Sequence, residues 1–178
     1  MVSTLPIVQL LQKCNIKYPV EIFTCNKVLV FNLGFDAKGN DTLNSWIYIP
    51  EKEYIFYRVG YYDNIMNTEK MSLYVEIGFP ENQKLKDDKY YLDRVITDLK
   101  KIGIITTQNL VDYETILMDP AYVHIRKESM EEMIKIKSML AKYDIYSIGR
   151  YGSWTYCSIE DNIIEAKELA EKLNDSSN

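Results

Sequence analysis

The segment Lys27–Phe35 places Val28, Leu29, Val30, Phe31 and Leu33 in one nearly unbroken apolar, β-rich run, which predicts a strand. Polar residues fill Asp36–Asn44, and Gly39-Asn40 within them marks a turn. Three further runs, Trp46–Ile49, Ile55–Tyr61 and Met71–Phe79, are aromatic and β-branched and are separated by short polar stretches. Together these segments predict an antiparallel meander. Ahead of them, Val2–Leu5 predicts a short strand. Pro6 suits the first position of a helix to about Gln12, where its missing N–H costs nothing. After Pro80 the apolar period lengthens. Leu92, Val95, Ile96 and Leu99 form a helical stripe within Asp87–Ile102, with Gly103 placed to end it. Leu110–Met118 and Tyr122–Ile125 predict strands on either side of an Asp119-Pro120 turn. Glu128–Lys142 predicts a helix, Ile145–Ile148 a short buried strand, and Ser158-Ile-Glu-Asp161 a capping box opening a helix to Leu173.

Grouped strands followed by helices and further strands indicate an α+β fold, a mostly antiparallel sheet packed with helices. At 178 residues the chain is long enough for one domain, expected over 1–173, with 174–178 as a disordered tail. Hydrophobic residues make up 47% and charged residues 26%, which excludes a disordered chain. The net charge of −5 offers no electrostatic footprint for nucleic acid. Fifteen tyrosines point to sheet propensity or ligand-facing hydroxyls, and seven glycines leave little material for a nucleotide-binding loop. Cys14, Cys25 and Cys157 are an odd set without CxxC spacing and read as reduced thiols. A single histidine, His124, leaves no basis for a histidine metal cluster or a Ser-His-Asp triad. No apolar run approaches the roughly 20 residues of a membrane span, and the first residues lack a secretory signal. The expectation is a soluble, cytoplasmic protein.

An acid/base pair does not stand out. Glu51, Glu53, Asp87, Asp88, Glu128, Glu131 and Glu132 lie in charge-rich turns or helix faces that read as solvated surface. His124 alternates with Val123 and Ile125 and reads as structural or pocket-facing. Arg58 is different, because it interrupts the aromatic strand Phe56-Tyr57-Arg58-Val59. A charge there is paired, exposed or held for an anion. Guanidinium grips phosphate oxygens bidentately, and nearby tyrosine hydroxyls such as that of Tyr48 can donate to the same oxygens. A second anion candidate is Gly149-Arg150-Tyr151-Gly152-Ser153-Trp154-Thr155-Tyr156, between a buried strand and a capped helix.

Collinear segments then carry a resemblance: Ser3-Thr4-Leu5-Pro6, Val30-Phe31-Asn32-Leu33-Gly34, Trp46-Ile47-Tyr48-Ile49-Pro50, Phe56-Tyr57-Arg58, Pro120-Ala121-Tyr122 and Gly149–Tyr156. In this order the chain resembles the C-terminal part of UDP-galactopyranose mutase-like flavoproteins, within the flavin amine oxidase and protoporphyrinogen oxidase-like group. The resemblance implies the substrate-domain part of that fold, with FAD as cofactor and a UDP-sugar as substrate. By resemblance, Arg58 matches the arginine that clamps the diphosphate, and Tyr48, Tyr122 and Tyr156 match tyrosines that donate to it. Arg150 matches the arginine beside flavin and sugar, the one position implied in catalysis; Gly149, Ser158 and Ile159 match positions that approach the flavin. In the family the bond chemistry belongs to the reduced flavin, and protein groups position the parts.

Departures accompany the matches. No two glycines stand one residue apart, so the GxGxxG loop of the dinucleotide-binding unit is not in this sequence. The helical region that holds the uracil base is likewise missing. Ile65 and Ser158 stand where relatives of the eukaryotic and bacterial types have tyrosine and aspartate. The implied chain is a C-terminal substrate-binding portion, inactive alone, whose FAD-binding half belongs to the same or a second polypeptide. Surface left for that half would favour a homo-oligomer. Three other readings stand beside it: an FAD-dependent amine oxidase or desaturase domain, a non-catalytic binding module, and a structural α+β domain whose tyrosines reflect only sheet propensity.

Overall fold

The computed structural model describes residues Met1–Asp175. The chain gathers into two compact units: a sheet unit, Asn26–Ala121, and a helical unit made of Met1–Cys25 with the chain from Tyr122 onward. The backbone passes between them twice, at Cys25/Asn26 and at Ala121/Tyr122. The fold class is the expected α+β.

In the sheet unit, β2 (Cys25–Phe35), β3 (Trp46–Tyr48), β4 (Arg58–Tyr61), β5 (Ser72–Pro80) and β6 (Leu110–Val123) form one five-stranded sheet ordered β3-β4-β5-β2-β6. The meander is real for β3, β4 and β5, but β2 inserts between β5 and β6. Alternation makes one face apolar: Leu29, Phe31, Leu33 and Phe35 of β2 lie beside Leu73, Val75, Ile77 and Phe79 of β5, all buried. The helix α3 (Asp88–Lys101) packs Tyr91, Val95 and Leu99 into this core at four-residue spacing. Asp87 caps α3 by accepting the Tyr90 N–H at 2.8 Å, and Gly103 follows the helix end with φ +78°.

Asp119-Pro120 is no turn: β6 runs straight through it, because β6 is an edge strand and an edge tolerates a residue without a donor. The run from Ile55 enters the sheet only at Arg58, and a short helix α2 (Tyr62–Met66), ending on Asn67 with φ +53°, follows β4 unforeseen.

In the helical unit β1 (Val2–Ser3) pairs in parallel with β7 (Tyr146–Ser147), around α1 (Ile7–Lys13), α4 (Lys127–Ala141), the single-turn α5 (Gly149–Gly152) and α6 (Ile159–Asp175). Its core joins Ile7, Leu10, Leu11, Phe23, Met133, Ile136, Leu140 and Trp154. Pro6 precedes α1 with ψ 129°, an extended value, rather than serving as its first helical residue. The predicted capping box is present: the Ser158 hydroxyl accepts the Asp161 N–H at 3.1 Å and Asp161 accepts the Ser158 N–H at 2.7 Å. Asn174 and Asp175, expected in the tail, complete α6, and the last three positions lie outside the described residues. No residue of α6 is buried, and Ile159, Ile163 and Ile164 stand exposed along it.

Candidate functional site

Register builds the first cluster, in the sheet unit. Tyr48 pairs with Arg58 across β3 and β4, and Arg58 pairs with Glu76 across β4 and β5. These side chains therefore share the sheet face opposite the apolar core. Glu76 is 7% exposed, and its carboxylate accepts from the Arg58 guanidinium through one oxygen and from the Tyr57 hydroxyl through the other. Arg58 also donates to the Tyr48 hydroxyl at 3.3 Å and lies 5.7 and 5.8 Å from the ring centres of Tyr48 and Tyr74. Gly60 makes room for Tyr74, since a Cβ there would fall 1.8 Å from the Tyr74 ring. Burial raises the Tyr74 phenol above its ordinary range even though Arg58 pulls the other way, so Tyr74 stays a donor at neutral pH. Of the three fates open to Arg58, pairing is the one observed.

The second cluster belongs to the helical unit. Arg150 is the second residue of α5, and its guanidinium lies 5.1 Å from the Tyr122 ring centre and 4.9 Å from that of Tyr156. Among the described residues no ion pair involves Arg150, and its Nε is buried without a hydrogen-bond partner. Two aromatic faces stabilise the cation without neutralising it. Gly149 has φ +82°, a conformation glycine adopts at no steric cost, and its N–H donates to Glu165 at 2.7 Å. Burial works to raise the Glu165 carboxyl, but the Gly149 N–H, the Ser153 hydroxyl and Lys137 outweigh it and hold the group below the usual range. Ser158 spends its N–H and hydroxyl on Asp161, whereas Ile159 turns outward at 81% exposure.

Each unit thus brings together part of the predicted set: Tyr48 with Arg58 in one, Tyr122, Tyr156 and Arg150 in the other. Gly149 and Ser158 sit close by in sequence but have their donors committed within the fold. Sequence reasoning missed Glu76, Tyr74 and Glu165. Glu76 carried a usable signal, a charge inside Tyr74-Val75-Glu76-Ile77, the same interruption that marked Arg58. His124 is exposed, with Nδ1 2.9 Å from the Thr24 hydroxyl. Cys14, Cys25 and Cys157 form no disulfide among the described residues. Among the described residues no cluster of His, Cys, Asp and Glu could hold a metal, and no helix is long and apolar enough to cross a membrane.

No protein-family model and no curated protein matches this sequence. Solved structures do match. A reduced UDP-galactopyranose mutase superposes with a TM-score of 0.73 at 22% identity over 87% of this chain. The chain has part of the mutase's fold. A protoporphyrinogen oxidase-like protein from Exiguobacterium sp. 255-15 superposes with a TM-score of 0.70 at 17% identity over 95% of the chain. The matched region is 36% of the mutase chain and 41% of the oxidase-like chain, so this chain spans well under half of either.

Proposed function

We propose that the chain is the substrate-binding portion of an FAD-dependent UDP-sugar mutase and works with an FAD-binding half supplied elsewhere. The observation that carries this reading is the Arg150 cation, unpaired among the described residues, between Tyr122 and Tyr156. A guanidinium held between two rings and lacking a carboxylate is an anion receptor in waiting. Tyr122 and Tyr156 would add hydroxyl donors to the same diphosphate. Arg58 plays a more modest part. Glu76 offsets its charge, so what it offers an anion, with Tyr48 beside it, is directed hydrogen bonds rather than net charge.

The residues fit the edge of a flavin rather than a whole site. Arg150 has its charge open and Ile159 presents an outward apolar side chain, but the donors of Gly149 and Ser158 are engaged. Further groups for the cofactor must come from the FAD-binding half, and the uncovered Ile159, Ile163 and Ile164 of α6 suit contact with it. When bound, the flavin supplies the bond-making and bond-breaking chemistry at the sugar. Arg150 and the tyrosines of its cluster hold and orient the diphosphate.

The oxidase-like match, which covers 95% of the chain, favours a second reading as part of an FAD-dependent oxidoreductase. A titration with UDP followed by NMR tests the first. Binding that moves the ring signals of Tyr122 and Tyr156 is expected, and no perturbation at millimolar UDP would refute it. Once the FAD-binding half is supplied, formation of a furanose from UDP-galactopyranose under reducing conditions separates mutase from oxidoreductase.

A further inference from the structure

One carboxylate grips both ends of the turn that presents Arg150. The Gly149 N–H, at its start, donates to Glu165 Oε2 at 2.7 Å, and the Ser153 hydroxyl, just past its end, donates to Oε1 at 2.9 Å. Lys137 on α4 reaches the same Oε1 at 3.2 Å and the Ser153 hydroxyl at 2.7 Å. Glu165 belongs to α6, so the four-residue α5 is fastened to α6 directly and to α4 through Lys137.

A single helical turn has no stability of its own, because nucleation costs more than one backbone hydrogen bond returns. The bond from Ser153 N–H to Gly149 O, at 2.7 Å, closes α5 only while the flanking residues are held. The Arg150 side chain cannot do the holding: beyond its two aromatic neighbours it makes no hydrogen bond or ion pair among the described residues. Its direction is inherited from the backbone beneath it. Lys137 contributes in another way, since its ion pair with Glu165 leaves Arg150 as the uncompensated charge of this cluster.

We propose that Glu165 is a positioning residue for Arg150, its two carboxylate oxygens fixing the ends of the Gly149–Gly152 turn so that the guanidinium stays between Tyr122 and Tyr156. This rests on the reading of Arg150 as the diphosphate-binding group. The test needs no FAD and uses the whole chain labelled with nitrogen-15. The Arg150 Nε–H signal, assigned by its loss in Arg150→Lys, is expected away from the free-arginine position because of the two ring currents. Glu165→Ala should return it to that position and weaken inorganic pyrophosphate binding about tenfold. Glu165→Gln keeps an acceptor and the side-chain length, and it should retain part of both effects. An unmoved Arg150 signal with unchanged affinity in folded Glu165→Ala, or in Glu165→Gln if the alanine variant does not fold, would overturn the proposal. A signal that collapses in a protein whose wild type binds no pyrophosphate would uphold the positioning role and sink the diphosphate reading instead.

Discussion

In the sheet unit Arg58 stands in register with a buried glutamate and pairs with it, whereas in the helical unit Arg150 lies against two tyrosines and forms no ion pair among the described residues. Both are arginines among tyrosines, yet the physics differs. Regular pairing across strands delivers Glu76 to Arg58, and burial makes that partnership hard to break. The one-turn α5 delivers no partner to Arg150, and aromatic faces stabilise the cation while leaving its charge to act outward. The first arrangement favours order in the sheet; the second leaves a cation without an ion-pair partner among the described residues.

The sharpest way to break this contrast is Glu76→Ala. It removes the carboxylate partner of a guanidinium whose side chain is 22% exposed and should cost about 3 kcal/mol in denaturant unfolding. A cost near zero would mean that Arg58 is as open as Arg150. Gly60→Ala comes next. Its Cβ collides with the Tyr74 ring and should cost about 2 kcal/mol, with loss of the Tyr62–Tyr74 contact at 5.0 Å visible as altered tyrosine fluorescence. Ser158→Ala removes the cap of α6 and should cost about 1 kcal/mol, read as reduced helical circular dichroism. The smallest effect is on pH. Glu165 has a folded value below its unfolded 4.5, so its contribution is present above about pH 4.5 and fades as pH falls through the lower folded value. Melting temperature followed from pH 7 to pH 3 should therefore drop less in Glu165→Gln than in the wild type.

The contrast also explains what the sequence could disclose. Strand-forming runs and the capping box are local, and both were legible. The place of β2 between β5 and β6 depends on pairing between distant segments, which local pattern does not encode. Pro120 read as a turn because proline ends most ladders; that β6 is an edge strand is known only once the sheet is assembled. The same limit applies at the site. Arg58 was conspicuous as a charge in an aromatic strand, and Glu76 bears the same mark, but their pairing needed the register. The resemblance grouped Tyr122 and Tyr156 with Arg58 and Tyr48 and set Arg150 apart, whereas the folded chain brings Tyr122 and Tyr156 against Arg150. Glu165 lies on an exposed helix with nothing local to distinguish it from Glu160 or Glu168.

The central claim is that Arg150 offers its charge while the charge of Arg58 is offset by Glu76. Parallel titrations of the wild type, Arg58→Ala and Arg150→Ala with inorganic pyrophosphate, at fixed low salt, test it directly. A loss of at least about tenfold in Arg150→Ala with a smaller loss in Arg58→Ala is the predicted result. Affinity that survives Arg150→Ala but disappears in Arg58→Ala would contradict it.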